Sequence, residues 1–351
     1  MDKLNKSEDL HMKKSLLFMI ISILVLALVA CGNDDKTTNE DSTNKNDDAQ
    51  YPIVIKHAFG ETVIEKKPER VATVAWANHD VALALGVVPV GFSAANYGIQ
   101  DDSGLLPWTA DKLKELGEEN PNVFQDTDGL DFEAIADSNP DVILAAYSGI
   151  TQEEYDTLSQ IAPVVPYEET PWVTPWRDQV LLNAKGMGLE EEGKQLVADT
   201  EKLIANKAEE YSVIKGKKAA FGMFNTADLS SFYIYTPADP RGEFLSDLGM
   251  SYPEGIKNLI KDDSFYIQVS AENADALNDT ELFITYGNKD TLATLQADPI
   301  LGKVPAIAAG NIVVVEDNTP LAAAGNPNPL SIQYTIDEYL TLISDVAKKI
   351  K

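Results

Sequence analysis

The chain has 351 residues, 44% of them hydrophobic, and its 56 Asp and Glu against 28 Lys and Arg give a formal charge of −28. A surface so acidic repels nucleic acid and anionic lipid headgroups, which makes both poor partners and sets nucleic-acid binding aside. The single cysteine excludes an internal disulfide, and the length is enough for two domains of ordinary size.

Residues 15–30 are almost wholly apolar, preceded by Lys13 and Lys14 and followed by Cys31, Gly32 and an acidic tract. This is the charged, apolar and small-residue layout of an export signal, and its apolar part is short for a membrane span. Leu28-Val29-Ala30-Cys31 resembles the bacterial lipobox. The resemblance implies diacylation of the Cys31 thiol, cleavage of the bond before it, and Cys31 as the new N-terminus; two acyl chains suffice for a stable anchor. Met12-Lys13-Lys14 reads as a more ordinary signal start, so translation begins at Met1 or at Met12. Removing residues 1–30 takes away four lysines and three acids, which leaves the mature chain one charge more negative. Residues 33–50 contain only Asn, Asp, Glu, Lys, Thr, Ser, Ala and Gln. Such a segment cannot bury enough apolar area to offset its ordering entropy, so 31–50 reads as a flexible acidic tether.

Folded sequence begins near Tyr51. Residues 54–55 and 62–64 flank Phe59-Gly60-Glu61 as a short hairpin, and Pro68-Glu69-Arg70 leads into an apolar strand at 71–75. After Trp76-Ala77-Asn78-His79 comes a helix from Asp80 closed by Gly86, then a strand at 88–91. The helix-then-strand unit recurs at 132–138 with 141–145, and again at 155–161 with 164–165. Strands alternating with helices at this spacing predict a parallel, helix-flanked sheet.

A second series follows Lys215-Gly216-Lys217-Lys218, with strands at 219–223, 232–235, 282–285 and 312–315 and helices at 242–248 and 330–348. Between the halves, Leu196, Val197, Leu203 and Ile204 alternate with Glu and Lys in an amphipathic helix of about 20 residues, which would span about 30 Å. The predicted architecture is α/β: two parallel-sheet α/β lobes, 51–188 and 213–351, joined by one long α-helix at 189–212.

The stretch "KKPERVATVAWANHDVALALGVVPVGF" resembles the opening of the first lobe in the substrate-binding lipoproteins of ABC importers for iron-siderophore complexes, haem and cobalamin. "LDFEAIADSNPDVILAAYSGI", "YDTLSQIAPVV", "RGEFLSDLGM", "QVSAENADALNDTELFITYG" and "PLSIQYTIDEYL" are similar to later segments of that family, in order, across residues 51–351. The resemblance implies a bilobal receptor with a rigid helical hinge and little closure; the sequence leaves the oligomeric state open, with a monomer expected. It would stand on the outer face of a Gram-positive cytoplasmic membrane and deliver a ferric siderophore to the permease of an ABC importer. It implies no cofactor and no metal held directly by the protein, since the chelator holds the iron.

Open parallel sheets bind ligands beyond the carboxyl ends of their strands, so the expected ligand residues are those at strand ends. Arg70, Arg177 and Arg241 are the only arginines. Arg177, in "TPWRDQ", and Arg241, in "ADPRGEF", suit the oxygen anions of a ferric chelate because a guanidinium donates forked, charge-assisted hydrogen bonds. Trp76, Tyr97, Tyr147, Trp176, Tyr235 and Tyr286 supply flat contact area for a bulky, partly apolar chelate. His79 is a ligand candidate too, and with Met223 it forms a conceivable axial pair for haem, the alternative cargo. Glu133 in "LDFEAI" and Glu272 in "VSAENA" match the family's permease-docking glutamates, one per lobe; each also stands where a carboxylate favours a helix start. Hydroxamate or citrate chelates rank ahead of catecholates, whose greater negative charge calls for more basic residues, although Lys289 could approach the pocket.

An enzyme is not expected. There is no GxSxG, no phosphate-binding GxxxxGK[ST] loop and no HExxH, and the lone cysteine is taken by the lipid.

Overall fold

The computed structural model describes residues 50–126 and 128–350, which fall in one compact unit. The expected export signal at 1–30, Cys31, where lipidation is expected, and nearly all of the expected tether lie outside the described residues. Among those described, no helix is long and apolar enough to cross a membrane.

A hairpin of β1 (Ile53–His57) and β2 (Gly60–Ile64) comes first, turning through Ala58 and Phe59 into Gly60, which takes φ 126°. The first lobe is then built on β3 (Val71–Thr73), β4 (Gly91–Ser93), β5 (Val123–Phe124), β6 (Val142–Ala145) and β7 (Val164–Pro166). All pair in parallel in the order β5-β4-β3-β6-β7. β3, β4, β6 and β7 are buried at every position, as expected of strands covered by helices on both faces. At the sheet's N-terminal edge, the Asp141 carboxylate accepts from the backbone of Glu69 and Arg70, and the Arg70 guanidinium donates to the carbonyls of Ser138 and Asn139. This arginine is thus occupied in joining β3 to β6 at the strands' N-terminal ends.

The second lobe contains β8 (Ala219–Met223), β9 (Ser231–Tyr235), β10 (Tyr266–Ser270), β11 (Leu282–Gly287) and β12 (Ile312–Glu316), in the order β10-β9-β8-β11-β12. Here the expectation of a parallel sheet needs correction. β8, β11 and β12 are parallel, but β9 runs antiparallel to both β8 and β10. Only residues 224–230 separate β8 from β9, too few for a crossover helix, so the chain returns as a hairpin.

The long helix Glu190–Glu210 joins the lobes. Its Lys207 bonds Asp337 of the C-terminal helix Pro329–Ala347 at 2.7 Å. One apolar cluster includes Val81, Trp176 and Val180 from the first lobe with Phe221, Leu245, Ile284 and Ile336 from the second. Each lobe also keeps its own core, around Ile143 and Val164 in the first and Phe232 and Phe283 in the second. A shared core beneath two separate sheets resists hinge closure, because closure would have to break close-packed contacts.

Candidate functional site

In each sheet the direction of winding reverses once. The reversal falls between β3 and β6 in the first lobe and between β8 and β11 in the second. Loops leaving strands on either side of such a reversal part from each other and open a crevice at the strands' carboxyl ends. The two crevices share one cleft of about 1410 Å³, lined by Trp76 after β3, Tyr147 after β6, Met223 at the end of β8 and Tyr286 at the end of β11.

The loop after β3 is held in an unusual shape. Ala75 and Ala77 take φ of 62° and 58°, and such left-handed alanines cost about 1–3 kcal/mol each, a strain met where surroundings over-determine the backbone. Trp76 lies between them on the cleft wall. The surroundings are supplied by Asn78, which is fully buried. Its Nδ2 donates to the carbonyls of Val74 at 2.8 Å and Tyr147 at 3.0 Å. Its Oδ1 accepts from the Tyr147 backbone at 3.1 Å, from Asn183 at 3.0 Å and from Gln179 at 3.3 Å. One amide side chain therefore fixes both loops that flank the first reversal.

Tyr147 meets Trp172 edge to face at a centroid distance of 5.3 Å. Trp172 is itself left-handed, with φ 61°, and its indole lies on Gly149, where a Cβ would come within 2.1 Å of Nε1. Across the cleft, Tyr286 packs edge to face on Tyr97, and both line the cavity. The Tyr97 hydroxyl donates to Asp317, and the Gly98 backbone donates to Asn318 Oδ1 at 2.8 Å, which ties the lobes together along one edge.

Arg241 is the cleft's sole lysine or arginine among the described residues. It follows Pro240 at the start of the helix Pro240–Asp247, whose N-cap, Asp239, accepts from the Arg241 backbone at 2.8 Å and from Nη2 at 3.0 Å. The guanidinium lies over the Tyr235 ring at 4.0 Å, and its buried Nε has no partner. Burial opposes the charge, but the Asp239 carboxylate outweighs it, so Arg241 stays charged with donor capacity left for a ligand oxygen. Burial also holds the hydroxyls of Tyr147, Tyr235 and Tyr286 above the usual phenol range. With no charge partner to reverse this, they are hydrogen-bond donors in the unliganded cleft.

The periplasmic binding protein family's profile matches residues 71–319, which is more than half of the chain. The chain belongs to that family. Among solved members, PiaA of Streptococcus pneumoniae TIGR4, crystallised in complex with ferrichrome, is 55% identical with a TM-score of 0.83, covering 85% of this chain and all of that one. The probable siderophore-binding lipoprotein YfiY of Bacillus subtilis is 26% identical over 90% of this chain and 94% of its own. The ferric enterobactin-binding periplasmic protein FepB of Escherichia coli O6:H1 is 26% identical over 74% of this chain and 82% of its own. Family members are substrate-binding proteins, and the cleft of this one has the placement such a role requires.

Of the residues expected at the ligand, Trp76, Tyr97, Tyr147, Tyr235, Arg241 and Tyr286 line the cleft. Trp176, Arg177 and His79 do not, and each has a physical reason. Trp176 opens the helix Trp176–Gly186, is fully buried in the interlobe core, and donates its indole N–H to Asp247 at 3.0 Å. Arg177 bonds Asp247 through both terminal nitrogens and Glu201 through Nε at 2.6 Å, which joins the first lobe, the long helix and the second lobe. His79 stacks on Phe92 at 4.7 Å and sits 3.5 Å from Asp80, and burial lowers its pKa. Met223 does line the cleft, but with His79 turned into the core the two form no axial pair for haem. Lys289 is also absent from the lining. Glu133 is exposed in the first turn of the helix Phe132–Asp137, and Glu272 is exposed in the first turn of a short 3₁₀ segment, Ala271–Leu277, rather than an α-helix. Among the described residues, no group of three His, Cys, Asp or Glu is arranged to hold a metal ion.

Trp172 stands among the aromatics of these loops without being singled out for the ligand by sequence, and cleft-lining amides such as Asn225, Asn288 and Asn326 are not marked at all. For Trp172 a signal was present in "YSGI" followed by "TPW", since a glycine two residues after a cleft tyrosine leaves room for an aromatic ring. The asparagines carry no such signal.

Proposed function

We propose that this protein is the extracellular, lipid-anchored receptor of an ABC importer, and that it captures a ferric siderophore of the hydroxamate type between its lobes. The observation that carries the reading is Arg241, a charged donor with an unpaired Nε, set among protonated tyrosines and two tryptophans in a cleft at the facing winding reversals. Hydroxamate and carbonyl oxygens around the iron accept hydrogen bonds from such donors, and the aromatic walls cover the apolar shell of the chelate. The ferrichrome complex of a relative 55% identical supports the same ligand class.

In this reading residues 1–30 direct export, Cys31 carries the lipid, and 31–50 let the folded part, lobes 51–188 and 213–351 with the connecting helix 189–212, reach the permease as a monomer. Glu133 and Glu272 are the permease contacts, one on each lobe, and both are exposed with no ion pair among the described residues.

Intrinsic fluorescence tests the cargo. Trp76 and Trp172 line the cleft whereas Trp108 and Trp176 are buried away from it, so a bound ferric chelate quenches a distinct fraction of the emission. Saturable quenching by ferrichrome, and none by haemin at equal concentration, is the expected result. Saturation by haemin alone would overturn the reading.

A further inference from the structure

The charge around the cleft bears on which ferric chelates can enter. Asp101, Asp102, Asp126, Glu154 and Asp317 line it, against the single guanidinium of Arg241. None of the five is in an ion pair among the described residues: Asp126 accepts from Ser93 and from the Asp131 backbone N–H, Glu154 from Thr151, and Asp317 from the Tyr97 hydroxyl, all neutral donors. Hydrogen bonds from Ser103 hold Asp101 below the usual carboxylate range, so it is ionised at neutral pH. Arg241, meanwhile, is matched by the fully buried Asp239 at 3.0 Å. A guanidinium compensated in this way still donates hydrogen bonds, but at a distance it presents little net charge. A cleft with low-dielectric walls concentrates the field of the charges along it, and at low salt that field reaches about 10 Å or more.

Resting on the hydroxamate reading above, we propose that these five carboxylates act as a charge filter, which disfavours anionic ferric chelates and selects hydroxamates of zero or positive charge. The filter sets ferric citrate aside, although citrate stood level with hydroxamates on sequence grounds. It also favours a linear trihydroxamate with a free ammonium over its neutral form. Recognition is then divided between two sets of groups: Arg241 and the tyrosines bind the oxygens around iron, and the carboxylates read the charge of the chelate's periphery.

The test holds the iron centre constant and changes one distant charge. Ferrioxamine B, which ends in an ammonium, is compared with its N-acetyl form, which is neutral, and its N-succinyl form, which is anionic. Each is titrated into the full-length protein by tryptophan quenching, beside ferrichrome as reference. At about 10 mM salt the expected order of affinity is ammonium, acetyl, succinyl, with about tenfold or more between the first and last, and at about 0.5 M salt the spread falls below about threefold. In the triple variant Asp101→Asn, Asp102→Asn, Glu154→Gln, the low-salt ratio of ammonium to succinyl affinities narrows by at least about threefold. Equal or inverted affinities across the series, with the neutral chelates bound, would overturn the filter and leave the hydroxamate reading standing. Failure of ferrichrome and of all three ferrioxamines to bind would overturn both.

Discussion

Truncating Asn78 to alanine removes the clamp on both first-lobe cleft loops. The side chain is fully buried and takes part in five hydrogen bonds. Without it, the carbonyls of Val74 and Tyr147, the Tyr147 N–H and the Asn183 amide lose the partners they have in the folded protein. A buried polar group left unsatisfied costs about 1–3 kcal/mol, and neighbouring losses overlap, so a net destabilisation of about 3–5 kcal/mol is expected. At about 2–4 °C per kcal/mol for a chain somewhat smaller than this one, the melting temperature falls by about 6–20 °C. The strained Ala75–Ala77 turn loses its support at the same time, so Trp76 and Tyr147 are no longer held for the ligand. Ferrichrome affinity drops by about tenfold or more, read by calorimetry at a temperature where the variant is still folded. Thermal unfolding within about 2 °C of wild type together with unchanged ferrichrome affinity would refute this account of how the wall is positioned.

Arg177→Ala leaves the carboxylates of Asp247, Glu201 and Glu243 without their cation; it lowers stability by about 2 kcal/mol yet leaves ferrichrome affinity unchanged, because Arg177 is outside the cleft. Burial, with Asp247 adding to it and Arg177 opposing, pushes Glu243 from 4.5 up to about 7. The folded protein therefore holds a proton that the unfolded chain has released across that window, and stability declines as pH rises through it. Glu243→Gln is accordingly more stable than wild type near about pH 8, by about 1–2 kcal/mol, and the difference vanishes below about pH 4, as denaturant melts at the two pH values will show. Gly149→Ala drives the Trp172 ring off its contact, which weakens ferrichrome binding about tenfold while changing the melting temperature little. Alanine at both Glu133 and Glu272 abolishes iron uptake through the permease in cells without altering ferrichrome affinity in solution.

Much of the frame is legible from local pattern. β8 runs over the predicted residues, and the long helix and the C-terminal helix lie within one or two residues of their expected ends, because amphipathic periodicity and glycine or Pro-Asp punctuation mark them directly. The strand expected at 88–91 lies instead at Gly91–Ser93, since residues 87–90 serve to carry the chain from helix to sheet. β10 escaped notice because it is a half-exposed edge strand, and the antiparallel run of β9 depends on loop length, which hydropathy does not weigh. At the site, Trp76 and Tyr147, two or three positions past a strand, and Tyr235 and Tyr286, at strand ends, line the cleft. Trp176 and Arg177 open a helix, whose start Pro175 and Asp178 two residues into it already mark. Which face of that helix meets the second lobe is decided by packing against Asp247, a partner seventy residues away in the chain. The aromatic and cationic character of the cleft was thus readable locally, and the division between cleft residues and interlobe bolts was not.

The most direct test is isothermal titration of ferrichrome into the full-length protein and into Arg241→Ala. The account predicts one chelate per chain for the wild type and at least about tenfold weaker binding for the variant, whose melting temperature in the absence of ligand shows that it is folded. No heat of binding with wild type, or equal affinity in a folded Arg241→Ala variant, would contradict the claim that this guanidinium receives the iron-bound oxygens.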